Sequence, residues 1–116
     1  MQQEILIPSL QSKILYTVGK NSQNNFDIID AASPSDIWFH IEGESSCHVI
    51  ASLPLEIKLD KKQLRQIVTQ GAVLCKSKSR YKSNKNVSII YTKVENITKS
   101  QPVGTVIAEN TKTILI

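Results

Sequence analysis

Hydrophobic positions along the chain follow two periods, and the change of period marks the elements. Glu4 to Ile7 and Lys13 to Val18 are rich in Ile, Leu, Tyr and Val. They predict two short strands flanking the turn-prone Pro8-Ser9. Gly19 to Asn25 is polar and predicts a loop, with Gly19 able to take positive φ. Phe26 to Ala32 fits two patterns. Phe26, Ile29 and Ala32 share a helical face, giving a short helix near 25–32, while Ile28-Ile29 also suits a strand. Ser33-Pro34-Ser35 ends the segment either way.

Ile37 to Glu42 and Ser46 to Ser52 alternate strictly and predict a β-hairpin around Gly43-Glu44-Ser45. Pairing Glu42 with Ser46 sets Trp38 opposite Ile50 and His40 opposite His48. One face then carries Ile37, Phe39, Ile41, Cys47, Val49 and Ala51 and goes to the core. The other carries Asp36, Trp38, His40, Glu42, Ser46 and His48. A slip of one residue would exchange the faces, so the alternation itself specifies the register.

The period then lengthens. Asp60 is an N-cap type with Gln63 three residues on, the pattern of a capping box. Leu64, Ile67, Val68, Gly71, Cys75 and Lys78 lie on one helical stripe, predicting a long helix over about 60–78. Gly71 costs about 1 kcal/mol relative to Ala inside a helix, so its place on the stripe points to a close approach to the sheet. Asn86 to Thr92 reads as a strand, and Lys99 to Gly104 as a turn region. Thr105 to Ala108 and Thr111 to Ile116 read as a closing hairpin around Glu109-Asn110. Strands, one long helix, then strands predict an α+β domain: a mostly antiparallel sheet with the helix packed on it.

Length fits this picture, since 116 residues suit a single domain, residues 1–116. No stretch approaches the roughly 18 apolar residues of a membrane span, and no export signal is recognisable, so the expectation is a cytoplasmic or equivalent interior protein without a membrane role. Cys47 and Cys75 are too few and too scattered for a disulfide framework or a zinc knuckle. Charge adds more. The formal net charge is +4, but residues 1–58 carry a net −4 and residues 59–116 a net +8. Such clustering suits an electrostatic footprint for phosphates.

Three groups of residues are candidates for chemistry. The first is Asp36, Trp38, His40 and His48. As a recognition site, Trp38 would stack on a base, the imidazoles would bond phosphate or base edges, and Asp36 would orient an imidazole or accept from a base amino group. As structure, Trp38 would pack under a flanking element and both His would bond backbone carbonyls. As an enzyme site, His40 and His48 would serve as acid and base with Asp36 fixing a tautomer. The second is the basic run Lys76, Lys78, Arg80, Lys82 and Lys85 with Tyr81 inside it. It is either a phosphate-binding patch with a stacking group or a solvated loop at a helix C-terminus. The third is Lys20, Asn21 and Asn24, polar contacts for a phosphate or base. Gly19-Lys20-Asn21 lacks the rest of a nucleotide P-loop, and the two His show no metal-ligand spacing, so neither a cofactor nor a metal is expected.

Gly19-Lys20-Asn21 with Asn24, Ala32, Asp36-Ile37-Trp38-Phe39-His40 and His48-Val49-Ile50 together resemble the NFACT-R domain family. Tyr91-Thr92, Val94, Lys99 and Gly104-Thr105-Val106 extend the resemblance over roughly residues 14–116. It implies RNA binding, with tRNA or rRNA and the large ribosomal subunit as partners in ribosome quality control. It also implies functional roles for Asp36, Trp38, His40 and His48. Two alternatives remain: an RNA-processing or RNA-modifying enzyme using Asp36, His40 and His48, and a protein-interaction module of a ribosome-associated complex. The chain departs from the family's Gly-Ser-His at Ser46-Cys47-His48, which bears on the backbone around His48.

Overall fold

A computed structural model describes all 116 residues. Eight strands and two helices follow in the order β1 (Gln2–Ile7), β2 (Ser12–Val18), α1 (Ser22–Ala31), β3 (Ile37–Ile41), β4 (Val49–Ser52), α2 (Lys61–Ser77), β5 (Ser88–Lys93), β6 (Ile97–Lys99), β7 (Val106–Ala108) and β8 (Lys112–Leu115). Six strands form one antiparallel sheet in the order β1-β2-β4-β3-β5-β8. Strands β6 and β7 make a separate two-stranded sheet. The architecture is α+β, as the alternation of periods predicts. No helix is long and apolar enough to cross a membrane.

The predicted register of β3 and β4 is the observed one. Trp38 pairs with Ile50, Ile37 with Ala51 and Phe39 with Val49. Ile37, Phe39, Ile41, Val49 and Ala51 face a main core shared with Ile67, Val68, Ala72, Leu74 and Cys75 of α2. On the opposite face Trp38 and Ile50 join Ile28 and Ile29 of α1 and Val94 in a second, smaller core. Ile97, Val106 and Ala108 of the small sheet pack against it. The central sheet is therefore covered on both sides, by α2 on one and by α1 with β6–β7 on the other.

Helix α2 starts where its capping box lies. The Asp60 carboxylate accepts from Gln63 N at 2.8 Å, and Gln63 Oε1 accepts from Asp60 N at 3.0 Å. Further hydrogen bonds dock the helix. Tyr16 Oη donates to the Ile67 carbonyl at 2.8 Å from β2, and burial pushes that phenol well above its usual range. Ser9, in the tight turn between β1 and β2, donates to Gln66 Oε1 from its backbone and hydroxyl. Gly71 lies directly under the Phe39 ring, and a Cβ there would overlap the ring carbons. Helix propensity is given up at this residue so that the helix can approach β3.

Four expectations are corrected. Helix α1 begins at Ser22, not near residue 25, because the Asn21 side chain caps it by accepting from Asn24 N at 2.8 Å. Gly19 does not use positive φ, which among glycines is confined to Gly43 and Gly104. Ladder pairing of β4 starts at Val49, so Ser46 to His48 belong to a longer connection than the three-residue loop expected. Finally, 105–108 and 111–116 do not pair with each other. Strand β7 turns back through Gly104 (φ +91°) onto β6, and β8 takes the free edge of β5.

The Phe39 contact makes Gly71 sensitive to a single methyl. Gly71→Ala should lower stability by about 1–2 kcal/mol, because overpacking of about 1–3 kcal/mol outweighs the helix-propensity gain. Urea denaturation measures it; an equal or raised midpoint would contradict the close approach.

Candidate nucleic-acid interface

Beyond the end of the β3–β4 ladder, the chain leaves a cleft of about 670 Å³. Trp38, His40 and His48 line it, together with Ser22 and Asn25 of α1, residues 42–46 of the connection and residues 102–106 of the β6–β7 turn. Strand alternation brings the three rings to one face. Trp38 and His40 stack in parallel with centroids 5.5 Å apart. His48 meets both edge-on, at 5.4 Å from Trp38 and 5.1 Å from His40.

The position of His48 is fixed by its backbone. Its N–H donates to Asn25 Oδ1 at 3.2 Å, and its carbonyl accepts from Gly19 N at 2.9 Å. Asn25 is itself buried, and a side chain at Gly19 would collide with its amide. His40 Nδ1 lies 2.6 Å from the Ile41 carbonyl, which makes that nitrogen the donor and leaves the other for a partner. Burial lowers the pKa of both imidazoles. His48 is brought down to about 4, first by burial and then by the neighbouring His40, against a hydrogen bond to the Gly104 backbone. His40 is lowered by burial against backbone hydrogen bonds to Ile41 and Ser46. Both rings are therefore neutral near pH 7.

Trp38 is 1% exposed and His48 2% exposed, yet Trp38 Nε1 and His48 Nδ1 have no hydrogen-bond partner in the protein. An unsatisfied buried polar group costs about 1–3 kcal/mol, so two on adjacent rings demand an explanation. A neutral imidazole offers one donor and one acceptor, while an indole offers only a donor. Two of the rings that line the cleft thus carry an unmet indole N–H and an unmet imidazole nitrogen.

The other candidates divide. Asp36 is 5% exposed and does not reach either imidazole. Its carboxylate accepts from Ser33 N and Leu53 N, each at 2.9 Å, and its carbonyl accepts from Val94 N at 2.8 Å. It ties three chain segments together at the opposite end of β3, so the orienting role is corrected. Trp38 is covered, stacked on His40, and takes no base on its face. Asn21 caps α1 by accepting from Asn24 N, and the Asn24 side chain inside the first turn accepts from Lys20 N at 2.9 Å. Lys20 is exposed beside a shallow polar hollow that shares Ser22, Asn25, Ser45 and Ser46 with the cleft.

In the basic run, Lys78, Arg80, Lys82 and Lys85 are exposed. Lys76 donates to the Ile116 carbonyl at 3.0 Å. Tyr81 packs against the main core and carries Arg80 on its ring at 5.4 Å, so it is no free stacking platform. Arg80 also pairs with Glu44 at 3.5 Å, which brings the run to the rim of the cleft. Sequence reasoning missed Asn25, the rim carboxylate of Glu44 and the 102–106 wall, and put Glu42 on the polar face without a role. Only Gly104 signalled that wall, as a turn residue. His40 and His48 are joined by no third metal-holding side chain.

The family model of the NFACT protein RNA binding domain matches residues 7–111, nearly the whole chain. The chain belongs to the NFACT RNA-binding domain family. As a member it is an RNA-binding module, in agreement with the resemblance carried by Asp36 to His40 and His48 to Ile50. This NFACT domain is 33% identical over 85 residues to coiled-coil domain-containing protein 25 of Danio rerio. It is 35% identical over 89 residues to the protein of that name in Mus musculus. The matches cover 72% and 73% of this chain but 40% and 42% of those proteins, so it spans about two-fifths of their length. The C-terminal part of the fibronectin/fibrinogen-binding protein from Streptococcus suis superposes with a TM-score of 0.80. That match covers 98% of this chain and 44% of the other at 20% identity, which shows a shared fold.

The depressed pKa of His48 couples the site to folding. An unfolded imidazole titrates near about 6.5. Between there and about 4 the unfolded chain binds more protons than the folded one. Stability is therefore full above about pH 6.5 and falls as the pH drops toward 4, with His48 contributing up to about 3 kcal/mol and His40 acting in the same direction. Urea denaturation at about pH 7 and pH 4.5 reads this loss. His48→Gln should flatten the profile; a wild-type midpoint independent of pH would rule it out.

Proposed function

We propose that this domain binds single-stranded RNA and draws one unstacked base edge-first into the cleft. The observation that carries the reading is the pair of buried, partnerless polar atoms, Trp38 Nε1 and His48 Nδ1, on two of the rings that line the cleft. A base edge offers both acceptors and donors, and RNA-binding proteins read sequence mainly on unpaired bases. Glu42 and Glu44 at the rim suit exocyclic amino groups, which carboxylates accept. Their negative charge argues against a phosphate inside the cleft. Phosphates instead suit the exposed Lys78, Arg80, Lys82 and Lys85, which the Arg80–Glu44 pair brings alongside, and Lys20 on the neighbouring hollow.

Binding is favoured over catalysis by the same geometry. With Asp36 engaged elsewhere and both imidazoles neutral, the pair has neither an orienting carboxylate nor a ready acid near pH 7. The family motif supports tRNA or rRNA as the ligand, with the large ribosomal subunit as partner, ribosome-associated quality control as the process and the cytoplasm as the compartment.

Fluorescence anisotropy with labelled single-stranded RNA tests the reading, with tRNA, an rRNA fragment and single-stranded DNA as competitors. Affinity should fall steeply with salt. Charge reversal of Lys78, Arg80, Lys82 and Lys85 should weaken binding and flatten that slope, by about 0.7 for each phosphate no longer neutralised. Trp38→Phe, which keeps a ring but removes the N–H, should cost roughly tenfold, or about 1.4 kcal/mol. Absence of RNA affinity at low salt would sink the proposal. An unchanged affinity in Trp38→Phe would remove the cleft from it.

A further inference from the structure

The chain's two cysteines, 28 residues apart in sequence, meet across the interface between the sheet and α2. Cys75 lies near the C-terminal end of α2 and is fully buried, while Cys47 is half-buried in the connection leading into β4. Cys75 Sγ donates to the Cys47 carbonyl at 3.9 Å, which sets its sulfur against residue 47. No role in the RNA site uses either sulfur. From this juxtaposition we infer that Cys47 and Cys75 form an oxidisable dithiol, which a hydroperoxide converts to an intramolecular disulfide joining the cleft-wall connection to α2.

The two thiols are unequal in the way such a pair requires. Hydrogen bonding from Cys75, with the Lys78 ammonium nearby, brings Cys47 down to about 7 against the effect of burial. Cys75 is pushed the other way, by Cys47 and by burial, and stays a thiol. The half-exposed partner is thus the nucleophile and the buried one the resolving group. Cys47 thiolate attacks the peroxide: an S–O bond forms, the O–O bond breaks, and hydroxide or alkoxide leaves to take up a proton. Cys75 sulfur then attacks the Cys47 sulfenic acid. The S–S bond forms, the S–O bond breaks, and the departing hydroxide takes the Cys75 proton as water. Two thiols lose two electrons and one peroxide gains them. The product would fix residue 47 to the helix, immediately before His48 and beside the cleft residues Ser45 and Ser46.

Hydrogen peroxide is the probe, added to the folded wild-type protein. Excess is then removed, the protein is unfolded in a thiol alkylator, and the intact mass is measured. The expected product is a monomer lighter by two hydrogens that takes up no alkylator and regains two reactive thiols after dithiothreitol. Peptide mapping should join the Cys47 and Cys75 peptides. Cys75→Ala and Cys75→Ser, both checked for folding by circular dichroism, should instead hold a sulfenic acid at Cys47 that dimedone traps. Oxygen additions on wild type without the loss of two hydrogens would overturn the inference. So would linkage only between separate chains. This result is read without RNA, so it stands or falls apart from the binding proposal.

Discussion

Strand β3 is buried on both of its faces, and the rest of the domain is arranged to make that possible. Phe39 needs α2 close, which Gly71 permits, and Trp38 needs α1 and the small sheet over it. A strand covered on both sides cannot slip by one residue without placing Trp38 and His40 in the main core. The site therefore inherits its precision from packing. Rings on β3 and just before β4 are held by two apolar layers rather than by a flexible loop.

Within the Asp36 to His40 run, duties alternate with the pleat. Ile37 and Phe39 serve the main core, Trp38 closes the second one and borders the cleft, and His40 forms part of the wall. Asp36 serves neither core. By holding Ser33, Leu53 and Val94 it fixes the chain approaching and leaving the sheet at the end remote from the cleft. Its carboxylate is part of the frame. The charged chemistry lies at the rim, where acidic residues 42 and 44 meet the basic segment after α2. This pairing of opposite charges is exposed and worth little to stability. It does place cationic side chains beside a pocket lined with carboxylates.

The central part of this arrangement was legible in the sequence because its rules are local. Alternation gave the faces of β3 and β4, and Asp60 with Gln63 gave the start of α2. A glycine on an apolar helical stripe gave the close approach to the sheet. Other parts were not legible because they depend on distant choices. Glu109-Asn110 has turn chemistry suited to a hairpin, but β7 and β8 each find a better partner elsewhere, and no local pattern records which edge is free. Asn21 shows the same limit on a smaller scale. A polar residue after a glycine suits a ligand contact or a helix cap, and only the helix beginning at Ser22 decides. Asp36 was misjudged because its type names an acceptor but not its donors. Trp38 satisfied both readings in part, buried in the second core yet bordering the cleft with an unpartnered N–H.

Trp38 is also the chain's single tryptophan. Its indole lies against two imidazoles at the cleft floor, so the protein's tryptophan emission originates from one defined spot. Protonation of either imidazole, or a ring stacked or bonded at the indole edge, would alter the emission without any attached dye. The residue that closes the second core thereby makes the domain its own optical probe.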